Sequence, residues 1–77
     1  MSHRVINVDK EILGGTPVFW GTRVPIKNLF DYLEEGETIE EFLEDFPSVT
    51  REQVEQVLAL SQKLIVSSAE ILHENLA

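Results

Sequence analysis

Cysteine is absent from the 77 residues, which excludes a disulfide framework and any thiolate metal centre. Histidine is scarce: His3 and His73 lie near opposite ends, with no companion at ligand spacing. No metal is therefore expected. No apolar run approaches the roughly 20 residues that cross a bilayer, and no basic segment followed by an apolar core opens the sequence. Those two gaps lead to the expectation of a cytoplasmic protein without membrane contact. Positive charge is also in short supply, with six basic against fourteen acidic side chains and a net charge of −8. A field of that sign opposes non-specific approach to nucleic acid or anionic lipid and favours a basic partner. What basic charge there is clusters early, at Arg4, Lys10, Arg23 and Lys27, while most of the acid comes later.

Catalytic machinery is missing as well. Adjacent acids such as Glu34-Glu35, Glu40-Glu41 and Glu44-Asp45 read as solvated helix faces rather than carboxyls held in a dry cleft. Ser61, Ser67 and Ser68 have no histidine within plausible range, so no nucleophile–base pair can be named and no enzyme is expected. Gly14, Gly15 and Gly21 do not match G-x-G-x-x-G or a lysine-bearing phosphate loop. No helix begins directly after them to meet an anion, and no cofactor is expected.

What remains is one small domain, residues 1–77. A chain of this size buries only roughly 60% of its unfolded surface. With 43% hydrophobic residues it folds, but with no covalent or metal staple its extra stability must come from a second copy or another partner.

"RVINVD" reads as a short strand, and "KEILGG" as a single helical turn closed by Gly14. "PVFWGTRVPI" is the stronger β signal. Val18, Phe19 and Trp20 form one arm, Val24 and Ile26 the other, and Gly21-Thr22 forms a two-residue mirror-image type II turn. Pro17 and Pro25 restrict these arms to short edge strands.

Helical spacing follows. "KNLFDYLEEG" aligns Leu29, Phe30 and Leu33 and stops at Gly36. "TIEEFLEDFP" opens with the capping-box pair Thr38 and Glu41, presents Ile39, Phe42, Leu43 and Phe46, and ends at Pro47. Thr50 and Gln53 repeat the box for a long last helix carrying Val54, Val57, Leu58, Leu60, Leu64 and Ile65, with a weak point at Ile65-Val66-Ser67-Ser68. The fold class is mainly α: a short N-terminal β-hairpin within residues 5–26, a three-helix core over 27–60, and a C-terminal helical extension over 61–77.

Three surfaces are candidates for function. The apolar stripe Leu64, Ile65, Ile71, Leu72 and Leu76 outruns the short helices available to cover it, and an uncovered apolar face points to a protein partner. Trp20 and Arg23 pair residue types enriched at interface hot spots. They suit an indole–guanidinium stack, a bidentate hold on a carboxylate, a salt bridge to a helix glutamate, or a contact across a homodimer or to a partner protein. The second and third helices have the proportions of a helix-turn-helix. In that reading Arg51, Gln53 and Gln56 meet bases and Lys27, with Arg23, meets phosphate, although Glu52 and Glu55 share the helix.

Over Gly14–Leu60 the order and spacing of these features resemble one family. They comprise glycines before a proline and an apolar pair, the Gly-Thr-Arg step, an apolar-Pro-apolar step, a helix ending in glycine, an acidic helix with "FP", and a third helix. The chain is similar to the domain-of-unknown-function family 433, small bacterial and archaeal proteins. The resemblance implies a winged or homeodomain-like helix-turn-helix fold. It further implies an antitoxin role in type II toxin–antitoxin pairs, with a PIN-like nuclease toxin as partner and operator DNA as a second one. The alternatives are a transcriptional regulator acting through the helix-turn-helix and a dimerisation module with no toxin.

Overall fold

The computed structural model describes residues 4–76, with side chains described to His73. It is mainly helical, with a two-stranded antiparallel sheet of β1 (Ile6–Asn7) and β2 (Val18–Phe19). Four helices follow: α1 (Ile26–Glu34), α2 (Ile39–Asp45), α3 (Arg51–Ser67) and α4 (Ala69–Leu76).

β2 is flanked on both sides. Ile6 pairs with Phe19 and Asn7 with Val18, and the Trp20 N–H donates to the Val5 carbonyl at 2.9 Å. On the other side the hairpin arm closes through a single bridge, Val18 to Pro25. Its bonds run from Phe19 N–H to Val24 O and from Ile26 N–H to Pro17 O, each 3.0 Å. Val18 and Pro25 thus face each other at a position where neither needs an N–H, which is why proline fits there.

The expected hairpin therefore exists, but the paired strands are the early segment and β2. The turn is also placed differently. Thr22 N–H donates to Phe19 O, so the turn runs Phe19–Thr22. Gly21 takes its third position at φ 77°, as a type II turn requires, rather than the second position of the mirror-image form. Thr22 Oγ1 donates to the same carbonyl and accepts from Val24 N–H, which holds the reversal from both sides.

The expected helical turn in "KEILGG" is instead a pair of tight turns. Ile12 N–H reaches Asp9 O, Thr16 N–H reaches Leu13 O, and a 3-10 segment spans Leu13–Gly15. Leu13 (φ 49°) and Gly14 (φ 67°) are both left-handed, a conformation a right-handed turn cannot accommodate.

Helix ends follow the sequence signals closely. Glu37 N–H bonds to Tyr32 O and Gly36 N–H to Leu33 O, the paired Schellman bonds, with Gly36 at φ 83°. Both capping boxes are formed, Thr38 with Glu41 and Thr50 with Gln53. Val18, Phe19, Leu29, Phe42, Val49, Val54 and Val57 are buried, and the sheet, α1, α2 and α3 all contribute to this core. Phe42 is its hub, with ring centroids 5.9 Å from Phe19, 5.4 Å from Tyr32 and 5.0 Å from Phe46.

The last helix is divided. Ser68 (φ −108°, ψ 10°) separates α3 from α4, so four helices stand where three were expected. β-Branched Ile65 and Val66 precede two serines, and Ser67 Oγ bonds back to Leu64 O, competing with the helix ladder. Among the described residues no helix is long and apolar enough to cross a membrane.

Candidate partner-binding surface

The face of α3 that fills the core continues past the core's edge. Val57 is buried and Leu58 packs against the core cluster. Leu64 and Ile65 lie seven residues further on, two turns along the same face, and they are 59% and 60% exposed. Among the described residues no element covers them fully. Past Ser68 the exposure continues at Ile71 and Leu72 on α4. Four of the five residues expected to form the apolar stripe are thus solvent-facing; Leu76 ends α4, and its side chain lies outside the described residues.

A second surface is acidic. Glu34, Glu35, Glu37, Glu40, Glu41, Glu44 and Asp45 place seven of the fourteen acids on the end of α1, its following turn, and α2. Crowding shows in their protonation. A hydrogen bond with Glu41, reinforced by its charge, raises the pKa of Glu37. Glu41 is lowered, first by the Thr38 backbone N–H in the capping box. The carboxyl of Glu40 is also lowered, by its hydrogen bond with Arg51.

The Trp20 region differs from expectation. Its cation partner is Arg4, whose guanidinium lies 4.8 Å from the ring centroid, and not Arg23. The reason is topological: β1 runs beside β2, so the residue before Val5 becomes Trp20's neighbour, whereas the Phe19–Thr22 turn carries Arg23 away. Arg23 is exposed and has no ion pair among the described residues. The Trp20 carbonyl accepts from Gln53 Nε2 at 2.8 Å.

That bond bears on the residues expected to read DNA. Gln53 Oε1 accepts from Thr50 N–H while Nε2 ties the Trp20 turn to α3, so both ends of the amide are occupied within the chain. Arg51 pairs with Glu40 across α2 and α3. Lys27 pairs with Asp31 at 2.8 Å, one turn along α1. Gln56 lines an open groove of about 590 Å³ between the β1 segment and α3. This groove has a floor of Val5, Ile6, Ala59 and Leu60, with Arg4 and Lys63 beside them and no carboxylate among the described residues. Sequence reasoning missed it, because nothing in periodicity links residues 4–6 to residues 56–63.

These features define a small, mainly helical module built around a short sheet, with apolar and acidic faces turned outward. The chain belongs to the family described as "Protein of unknown function (DUF433)", whose model matches residues 6–60. The match ends at Leu60, where the exposed stripe of the extension has yet to begin. A similar protein is the uncharacterized protein y4eO of Sinorhizobium fredii (strain NBRC 101917 / NGR234), 36% identical over 53 residues. The aligned part is 69% of this chain and 24% of that relative, so the chain spans about a quarter of the relative's length. No solved structure matches.

Proposed function

We propose that the protein is a non-enzymatic, antitoxin-like binding module that holds a cognate nuclease toxin, of the PIN-like kind the family resemblance implies. The observation that carries this reading is the core-facing stripe of α3 emerging uncovered at Leu64 and Ile65. Covering the exposed three-fifths of each side chain is worth about 1–2 kcal/mol, so a partner that buries them gains affinity. The acidic surface on α1 and α2 supports the same reading, because a ribonuclease cleft that binds RNA is basic and an acidic surface complements it. Operator binding is the alternative, but the engaged Gln53 amide and the Arg51–Glu40 pair leave those side chains with intramolecular work.

The test is co-expression with the product of the neighbouring reading frame, scoring both co-purification and relief of growth arrest. The double variant Leu64→Asp/Ile65→Asp keeps the core intact and is expected to abolish both. Undiminished co-purification by that variant would remove the α3 stripe from the interface. Failure of the wild-type pair to associate would leave no toxin to bind.

A further inference from the structure

We propose that the groove between the β1 segment and α3 is the seat for α4 of a second copy of this chain, giving a dimer in which the two copies exchange α4 reciprocally. The groove and the helix are chemical complements. Arg4 and Lys63 flank an apolar floor of Val5, Ile6, Ala59 and Leu60. α4 carries the carboxylate of Glu70 beside exposed Ile71 and Leu72. On a chain of net charge −8, two copies repel over most of their surfaces. Lys63, which has no ion pair among the described residues, is where the carboxylate of an acidic helix from another copy is accepted, and that helix brings apolar side chains to an apolar floor.

The occupant is a second copy's helix because the chain's own α4 cannot reach. Lying along residues 56–63 would require α4 to double back on α3. Only Ser68 separates the two helices, and the ladder bonds Ser68 N–H to Leu64 O and Leu72 N–H to Ser68 O hold its direction forward. Exchange between two copies satisfies both grooves at once, as a closed two-fold arrangement requires. The inference holds with or without a toxin. It divides the extension between two partners, leaving Leu64 and Ile65 on α3 outside the dimer contact.

Charge exchange tests it on the full-length protein without toxin, by light scattering coupled to size exclusion. Lys63 and Glu70 are both exposed, and circular dichroism checks that each variant is folded. The single variants Lys63→Glu and Glu70→Lys are each expected to weaken the dimer about tenfold or more, since like charges then face each other in both grooves. Mixing the two variants is expected to restore it as a heterodimer. In one groove the carboxylate introduced by Lys63→Glu then meets the ammonium introduced by Glu70→Lys on the other chain, and the second groove keeps its native pair. A monomeric wild type, dimers that survive either single change, or a mixture that stays monomeric would each overturn the proposal. Loss of toxin capture by Lys63→Glu that Glu70→Lys does not rescue would assign the groove to the toxin instead.

Discussion

Gln53 is the residue whose replacement most directly separates an architectural role from a nucleic-acid one. Its Oε1 closes the α3 capping box by accepting from Thr50 N–H at 3.0 Å, and its Nε2 donates to Trp20 O at 2.8 Å. Gln53→Ala removes both bonds. At about 0.5–1.5 kcal/mol for each protein hydrogen bond, and toward the low end for partly solvated ones, the loss is about 1–2 kcal/mol. Gln53→Glu divides the two contributions. A carboxylate retains the acceptor for Thr50 and interacts well with the first turn of a helix, but it cannot donate to the Trp20 carbonyl. Its stability should fall between wild type and Gln53→Ala. Urea unfolding reads the difference: with a slope of about 1 kcal/mol per molar for a domain this small, Gln53→Ala moves the midpoint down by about 1–2 M. Trp20 is the sole tryptophan, so its fluorescence reports whether the turn loosens in both variants. A Gln53→Ala midpoint indistinguishable from wild type, with unchanged emission, would refute the argument and return Gln53 to the residues available for base contacts.

Two further outcomes follow from the core and from its one tyrosine. Phe42 is fully buried among three aromatic rings, and Phe42→Ala should cost about 3–5 kcal/mol; a core in a chain of this size rarely supplies more than about 3–5 kcal/mol, so thermal melting should show a largely unfolded population. Tyr32 donates to Asp45 Oδ2 at 2.5 Å, and this bond, then desolvation and the Asp45 charge, push its pKa up from 10.0 to about 12. Because the folded value lies above the unfolded one, this contribution to stability is complete below pH 10 and is lost between pH 10 and about 12. Phenolate absorbance should therefore titrate late in the native protein and near pH 10 when denatured, with Asp45→Ala moving the native value down; native titration near 10 would contradict the Tyr32–Asp45 bond.

Local signals were legible wherever the cause is local. Thr38 with Glu41, Thr50 with Gln53, and Gly36 each act within one helical turn, and the structure forms all three devices where the spacing predicts them. The strands were harder, because pairing depends on what lies beside β2 rather than on β2 itself. Val18-Phe19 is equally suited to its hairpin arm and to Ile6-Asn7, and it bonds to both. The same ambiguity misplaced the cation on Trp20. Arg23 is near in sequence, but Arg4 is near in the sheet.

The site divides along the same line. Periodicity alone exposes Leu64, Ile65, Ile71 and Leu72, because a stripe longer than its cover is a property of the sequence. The groove of Val5, Ile6, Ala59 and Leu60 exists only once β1 is laid against α3. The two surfaces meet in one physical argument. A 77-residue acidic domain with no staple leaves its cationic groove and its acidic apolar helix on opposite sides of a hinge that does not fold back. In the dimer proposed above, the self-repulsion of the acidic chain selects the few contacts at which two copies can meet.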